Sequence, residues 1–157
     1  MRYIIRKIRK EEIKILDDFI YEAIFIPEGT EKPSKKIIKS ENLQVYIKDF
    51  GNSKDDNCLV AEYNNKIVGA CWTRIMNDYG HIDNETPSFA ISLYEEYRGK
   101  GIGTELMLKM LDLLKQKGYK QASLAVQKEN YAVKMYKKVG FKIIDENMEE
   151  YIMICKL

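Results

Sequence analysis

The residues best suited to chemistry in this sequence form a glycine-rich loop directly before an amphipathic segment. The stretch EYRGKGIGTELM, residues 96–107, holds three glycines within five residues, with Arg98 and Lys100 beside them. A strand that leads through glycines into a helix N-terminus presents free backbone amides and the positive end of the helix dipole, and glycine lets an anion approach the backbone. The loop is therefore predicted to bind a phosphate-containing ligand.

The spacing of these glycines argues against the two commonest nucleotide motifs. A P-loop requires G-x-x-x-x-G-K-[ST], whereas the glycines here stand at positions 99, 101 and 103 and no Lys is followed by Ser or Thr in the loop. The dinucleotide pattern G-x-G-x-x-G, started at Gly99, requires a glycine where Thr104 stands. Neither ATP nor NAD is favoured.

Length and charge narrow the class of protein. The chain has 157 residues, enough for one compact domain, and we expect a single domain over residues 1–157. Its 26 Lys and Arg against 24 Asp and Glu give a net charge of +2 and are mixed along the chain, so nucleic acid is not an expected partner. No apolar run approaches the ~18 residues of a membrane span. Three widely separated cysteines favour reduced thiols and a cytoplasmic location.

Hydrophobic periodicity predicts alternating strands and helices around this loop. Asn64 and Asn65 separate two strand-like runs and predict a tight hairpin, because Asn tolerates a positive φ. Gly118 and Gly140 are predicted to end helices, and an acidic turn is predicted over residues 146–150. The predicted strands are 3–8, 57–63, 66–76, 87–94, 121–127, 141–145 and 151–157, and the predicted helices are 11–26, 34–50, 102–118 and 130–139.

Two motifs resemble the GNAT superfamily of N-acetyltransferases. Arg98, Gly101 and Gly103 match its signature [QR]-x-x-G-x-[GA], which lies between the fourth strand and the third helix. The later stretch NYAVKMYKKVGF, residues 130–141, is similar to the family segment in which an Asn opens a helix, a Tyr follows six residues on and Gly-Phe begins a strand. The resemblance covers essentially the whole chain. It implies an α/β (α+β) fold with a mixed, mostly antiparallel sheet flanked by helices, and with splayed fourth and fifth strands.

The resemblance also implies acetyl-CoA as cosubstrate, without a metal. Backbone amides of the loop would hold its pyrophosphate, with Arg98 and Lys100 adding positive charge. The main chain near Leu93 would pair with the pantetheine arm, and Asn130 would cap its helix and contact the cofactor arm. The residues expected to bind the cofactor are Leu93, Arg98, Gly99, Lys100, Gly101, Ile102, Gly103, Thr104 and Asn130.

Tyr136 resembles the general acid of the family. With an ordinary pKa of about 10, a tyrosine is protonated at neutral pH and can donate to the leaving thiolate. The alternative is a core aromatic on an amphipathic helix, beside Val133 and Val139.

The general base is left open by the sequence. Residues 87–94, the predicted fourth strand, contain no Asp, Glu or His, although some family members carry one there. Candidates elsewhere are Glu22, Glu28, Glu85 and His81, each of which is also explained as a surface residue. Trp72 and Tyr94 are read as pocket-lining or core aromatics, with core packing favoured for Trp72.

Two functions from different classes are compatible with these motifs. The first is an active N-acetyltransferase that transfers acetyl directly, in a ternary complex, to a primary amine of a small molecule or peptide. The second is a catalytically silent acyl-CoA-binding or sensor module. An unrelated phosphate-binding domain would leave the 130–141 match unexplained. Acidic residues in segments 26–36 and 145–150 favour a cationic acceptor, and a homodimer is left open beside a monomer.

Overall fold

The computed structural model describes residues 2–157, which form one seven-stranded sheet with helices on both faces. The helices are α1 (Leu16–Glu22), α2 (Glu41–Gln44), α3 (Ile102–Gln116) and α4 (Ala132–Val139), and short 3-10 helices cover Lys10–Ile15, Lys35–Lys39 and Glu95–Tyr97. The strands are β1 (Ile4–Lys7), β2 (Asn57–Tyr63), β3 (Lys66–Arg74), β4 (Ser88–Leu93), β5 (Gln121–Gln127), β6 (Lys142–Glu146) and β7 (Glu150–Lys156).

The sheet is open, mixed and mostly antiparallel, as predicted. Its strand order is β1-β2-β3-β4-β5-β7-β6, and β4 and β5 form its one parallel neighbour pair within residues 2–157. Those two strands share a single register position, Ser88 opposite Ser123. Beyond it they diverge, so a gap opens in the middle of the sheet toward the C-terminal ends of β4 and β5.

Each face of the sheet has its own core. The α3 face contains Leu106, Met107 and Met110, all fully buried, because the apolar residues of α3 recur at helical spacing. The α1 face is built around Phe19 and Trp72, which are also fully buried. The indole Nε1 of Trp72 donates to the backbone oxygen of Tyr46 at 3.0 Å, so Trp72 is a core residue that also anchors the segment after α2.

Several helices and strands end at the turn residues that the sequence predicts. Asn64 and Asn65 adopt φ values of 50° and 61° in the β2–β3 hairpin. Gly140 closes α4 with φ 117°. The acidic segment differs from its prediction: β6 extends to Glu146 and β7 begins at Glu150. The turn between them is shorter because Asn147 Oδ1 accepts hydrogen bonds from the amides of both Glu149 and Glu150.

The first helical segment departs most from the prediction. Instead of one helix over residues 11–26, a 3-10 helix, Lys10–Ile15, leads into α1, which ends at Glu22. Glu12 is drawn toward β1 and β2 because its carboxylate pairs with Arg6 at 2.8 Å, and Arg6 also pairs with Glu62. At the other end, Pro27 disfavours helical geometry at the residue before it. The non-helical segment that follows α1 is thereby free to line the central gap.

No helix within residues 2–157 has the length and apolar character needed to cross a lipid bilayer. The three cysteines are free and buried.

Candidate active site

The central gap contains a cavity of about 490 Å³. Its walls come from the end of α1 and the segment after it, from the end of β4, from the glycine loop and from the start of α4. Eight of the residues expected to form the site line this cavity, whereas Lys100 and Ile102 are not among its lining residues. The eight are Leu93, Arg98, Gly99, Gly101, Gly103, Thr104, Asn130 and Tyr136.

The glycine loop presents free amides to the cavity. Gly99 and Gly101 have φ values of +74° and +87°, a conformation that L side chains rarely adopt, and a Cβ on either would meet open space. The amides from residue 99 to residue 104 donate to no group within residues 2–157, since the first bond of α3 runs from the Glu105 amide to the Gly101 oxygen. These amides and the N-terminus of α3 form a cradle for an anion.

The remaining loop residues have different roles. Ile102 is fully buried, so it offers the cavity its amide and not its side chain. A Cβ on Gly103 would lie 3.3 Å from Met135 Sδ, so the absence of a side chain there lets α3 approach α4 closely. Gly103 therefore lets α3 pack closely on α4 and also leaves its own amide accessible to a ligand.

Arg98 is held by the protein's own groups. Its Nε donates to the Leu93 oxygen at 3.0 Å, and its Nη2 contacts the backbone oxygen and the carboxylate of Glu22 at 3.1 and 3.3 Å. The guanidinium thus joins the end of α1 to the end of β4, two walls of the cavity, and its charge is paired with Glu22. Lys100 is exposed and has no ion-pair partner within residues 2–157, so it is the cation available at the loop.

The edge of β4 that faces the gap carries unpaired main-chain groups. The Ser123 amide donates to the Pro87 oxygen at 2.9 Å, so odd-numbered residues of this stretch point their main-chain groups toward β5. Past Ser88 no strand of residues 2–157 pairs with that edge, which leaves Ile91 and the Leu93 amide facing the cavity. An extended chain entering the gap can form strand-like hydrogen bonds there.

Tyr136 lies on α4 with its ring half-buried against Phe141, at a centroid distance of 6.2 Å. Tyr136 is one of the residues that line the cavity, and its hydroxyl has no hydrogen-bond partner within residues 2–157. Burial raises the pKa of Tyr136 above its ordinary value, with smaller contributions from Cys71 and Tyr131. The hydroxyl is therefore protonated at neutral pH and has a proton to donate. Asn130 caps the same helix, because its Oδ1 accepts from the Ala132 amide at 2.9 Å.

Comparison with known proteins agrees with this geometry. The model of the acetyltransferase (GNAT) family matches residues 21–141. The chain belongs to the GNAT family of acetyltransferases. The matched residues include the glycine loop, the edge of β4 and Tyr136, and the match confirms the predicted family.

Individual relatives give the same result. An uncharacterized N-acetyltransferase of Methanocaldococcus jannaschii is 31% identical over 148 residues, 89% of this chain and 61% of the relative. The [ribosomal protein bS18]-alanine N-acetyltransferase of Haemophilus influenzae is 32% identical over 88 residues, 56% of each chain. The chain thus spans less than two thirds of either relative. The crystal structure of the PaiA N-acetyltransferase from Thermoplasma acidophilum, in complex with coenzyme A, aligns over 100% of both chains with 25% identity and a TM-score of 0.70.

The residues considered as general bases occupy different places in this GNAT fold. Glu22 reaches the cavity but its carboxylate is paired with Arg98. Glu28 and Glu85 are exposed. His81 is half-buried, and its Nδ1 is enclosed without a hydrogen-bond partner within residues 2–157. Tyr94 packs on Phe19 and donates to Asp18 at 3.1 Å, and it is not among the residues that line the cavity.

A hydrogen-bonded pair near the closed end of the gap, outside the residues that line the cavity, was missed by the sequence reasoning. The hydroxyl of Tyr46 donates to Asp78 Oδ2 at 3.1 Å, across a separation of 32 residues. Asp78 stands in a polar loop with other acids, and Tyr46 in an irregular helical stretch, so neither shows a spacing that distinguishes it. Their meeting depends on how α2 and the β3–β4 loop pack on the sheet.

Proposed function

We propose that this protein transfers the acetyl group of acetyl-CoA to a primary amine. The observation that supports this most is the cradle of free amides from residue 99 to residue 104, at the N-terminus of α3 and directly beside the splayed strands. Such a cradle fits a pyrophosphate, and the unpaired edge of β4 fits an extended pantetheine arm. Acetyl-CoA supplies an activated acetyl thioester.

Different residues of the chain bind different parts of acetyl-CoA. In this proposal, the amides of Gly99, Gly101, Ile102, Gly103 and Thr104 hold the pyrophosphate, and Lys100 adds positive charge. Arg98 keeps the cavity walls in place through Glu22 and the Leu93 oxygen. The Leu93 amide and Asn130 hold the arm between the loop and Tyr136.

Tyr136 is the proposed general acid. Tyr136 lines the cavity, its hydroxyl has no hydrogen-bond partner within residues 2–157, and burial raises the pKa of Tyr136, so the hydroxyl remains protonated. Donation to the leaving sulfur fits direct transfer in a ternary complex, because elements from both faces of the sheet, α1 on one and α3 and α4 on the other, line the cavity.

The acceptor is proposed to be a cation. Half-buried Glu150 and exposed Glu149 lie at the start of β7, beside the open end of the gap, since Glu150 pairs with Gln127 at the end of β5. Burial, and then the charge of Glu149, raise the pKa of Glu150, as expected of a carboxylate that lacks a counter-charge. A protonated amine supplies one.

The test combines binding with turnover. Acetyl-CoA at a hundredfold over its Kd is expected to add about 2.7 kcal/mol of stability, seen as a higher Tm. Acetyl-CoA consumption is then measured with lysine, spermidine, kanamycin and a hexapeptide that begins with alanine, and at least one is expected to give an acetylated product by mass spectrometry. Binding of acetyl-CoA without any acetylated product would favour the silent acyl-CoA-binding module. If acetyl-CoA does not bind, both the acetyltransferase and the silent module are wrong.

A further inference from the structure

Tyr46 and Asp78 form a pair that the proposed machinery does not yet use. Tyr46 follows α2 and Asp78 belongs to the β3–β4 loop, and both side chains are half-buried. Their hydrogen bond, 3.1 Å from hydroxyl to Oδ2, leaves the lone pairs of the Tyr46 oxygen free to accept another proton.

The pair sits at the base of the gap between β4 and β5. Asp78 Oδ1 accepts from Ser88 Oγ at 3.2 Å, and Ser88 Oγ lies 3.2 Å from Ser123 Oγ, at the single position where the two strands pair. Side chains alternate along a strand, so Ser88 shares its face with Ser92, whose Oγ bonds to the Phe19 oxygen of α1. The pair therefore meets the gap from the α1 face.

This face is opposite to the one that carries α3. Phe89 and Leu93, the alternate residues of β4, pack in the α3 core. A phosphate-containing cosubstrate held at the N-terminus of α3 and an amine approaching from the α1 face would enter the gap from different sides. The side on which Tyr46 and Asp78 stand is thus the acceptor side.

Both residues are held by contacts that fix their positions. Trp72 Nε1 binds the Tyr46 backbone oxygen at 3.0 Å. Ser123 Oγ donates to the Gly80 oxygen at 2.8 Å, and a Cβ on Gly80 would lie 3.1 Å from the Ala125 amide nitrogen, so the loop that carries Asp78 rests directly on β5. Such support keeps a reacting group in place without reorganisation.

The electrostatics of the pair suit proton uptake. Burial raises the pKa of Asp78, while hydrogen bonds from Tyr46 and Ser88 oppose that rise. Burial chiefly, then Asp78, Glu150 and Tyr136, raise the pKa of Tyr46, which stays protonated. Asp78 has no ion-pair partner within residues 2–157. A half-buried carboxylate without an ion-pair partner favours an incoming cation.

We propose that Tyr46 and Asp78 together remove a proton from the acceptor's ammonium group. The inference rests on the proposed acetyl transfer. Tyr46 is the catalytic residue that touches the amine, and Asp78 is a positioning residue that acts through it. The Tyr46 oxygen receives the ammonium proton while its own proton passes to Asp78 Oδ2, which leaves a neutral amine and a protonated carboxyl.

The rest of the reaction then balances. The amine nitrogen forms a C–N bond with the acetyl carbon as the C–S bond breaks, and Tyr136 gives its proton to the sulfur. The surplus proton on the nitrogen returns through water to Tyr136, and Asp78 releases its proton to solvent. One proton is released per amide formed.

Two variants test the pair, with controls from the same loop. Asp78→Asn keeps the side-chain shape and an oxygen for the Tyr46 hydrogen bond, and Tyr46→Phe keeps the ring. Tyr79→Phe and Asp83→Asn are the controls, because both residues are exposed neighbours of Asp78. The readout is kcat/KM for whichever of lysine, spermidine, kanamycin or the hexapeptide reacts fastest, from about pH 6 to about pH 10.

The pH dependence distinguishes a proton acceptor from a structural residue. Both variants are expected to lose about a hundredfold in kcat/KM near neutral pH, the scale of general base catalysis. The defect should shrink as pH approaches the acceptor's own pKa, because the amine then deprotonates in solution. The controls should follow the wild-type profile.

Stability and cosubstrate binding give readouts independent of turnover. A carboxyl whose folded pKa lies above its unfolded value lowers stability at pH values above the folded pKa, so removing its charge should not destabilise the protein. Asp78→Asn is expected to melt at the wild-type temperature or higher at neutral pH, with an unchanged Kd for acetyl-CoA. Such a gain in stability with a loss in activity is typical of active-site residues.

Each contrary result has a distinct meaning. A defect of equal size at every pH, or a lower Tm that parallels the lost activity, would show a structural role and overturn the inference. Wild-type profiles in both variants would overturn it while leaving acetyl transfer intact. If the wild-type protein binds acetyl-CoA but acetylates no acceptor, the proposed function fails and the role of the pair falls with it.

Discussion

At the scale of single residues, Tyr136 lines the cavity and its hydroxyl has no hydrogen-bond partner within residues 2–157. The ring of Tyr136 packs edge-on against Phe141 at a centroid distance of 6.2 Å. The two parts of the side chain can therefore be tested separately, since removing the oxygen leaves the packing in place.

Tyr136→Phe is expected to lower kcat about a hundredfold, the low end for a general acid, because a thiol with a pKa of about 8.5 leaves tolerably well without help. The Kd of acetyl-CoA and the Tm should stay near wild type, since the ring still contacts Phe141. Steady-state kinetics and calorimetry measure these quantities. Tyr63→Phe is the matched control: Tyr63 is also half-buried and packs on an aromatic ring, that of Tyr97, at 6.1 Å. An unaltered kcat in Tyr136→Phe would assign Tyr136 to core packing.

At the scale of elements, the loop before α3 combines a left-handed backbone with open space. Gly101 has φ +87°, and a Cβ there would touch nothing within 4 Å. A side chain at this position changes the backbone energy and the local charge without a clash, so two substitutions of equal size separate the two effects.

Gly101→Asp is expected to weaken acetyl-CoA binding at least about tenfold more than Gly101→Asn, a difference of ~1.4 kcal/mol. Both side chains carry the same backbone strain, which Asn and Asp tolerate better than other L residues, but only Asp places a negative charge beside the amides that face the anion. Titration calorimetry gives both Kd values, and the two Tm values without ligand should agree. Equal affinities for the two variants would contradict an anion site at this loop.

The sequence could predict those elements whose ends depend on nearby residues. The β2–β3 hairpin follows from Asn64 and Asn65, and α3 follows from its apolar spacing and its flanking glycines. The boundaries of α1 could not be predicted, because the pairing of Glu12 with Arg6 and the packing of Arg98 on Glu22 join distant segments. The glycine loop could be predicted as an anion site from its glycines and the helix that follows, and Tyr136 from a family motif that is local in sequence. Tyr46 and Asp78 belong to no such motif and meet only through packing of separate elements.

At the scale of the whole molecule, charged groups of opposite sign lie at separate places around the gap. The N-terminus of α3 and Lys100 carry positive charge beside the glycine loop. Glu149 and Glu150 carry negative charge next to the end of β5, Asp78 carries it near Ser88, and Lys128 pairs with Glu146 at 2.8 Å. The net charge of +2 is small, but positive and negative groups are separated around the gap. This distribution matches an anionic cosubstrate and a cationic acceptor.

This separation predicts the effect of reversing charge at the start of β7. The double variant Glu149→Lys and Glu150→Lys is expected to raise the KM of a cationic acceptor about tenfold, or ~1.4 kcal/mol, while the KM of acetyl-CoA changes much less. The difference in acceptor KM between the double variant and the wild type should become smaller as salt is added, because the screening length falls from about 10 Å at 0.1 M to about 3 Å at 1 M. Steady-state kinetics at both ionic strengths measure it.

A matched double variant separates a local effect from a change in net charge. Glu11→Lys and Asp112→Lys make the same change in charge at exposed positions on the Lys10–Ile15 helix and on α3. If both double variants raise the acceptor KM equally, the effect comes from overall charge and the acidic segment has no special place. If the best acceptor is neutral or anionic, the cationic preference is wrong even though acetyl transfer stands, because an uncharged amine gains nothing from Glu149 and Glu150 before it reaches Tyr46.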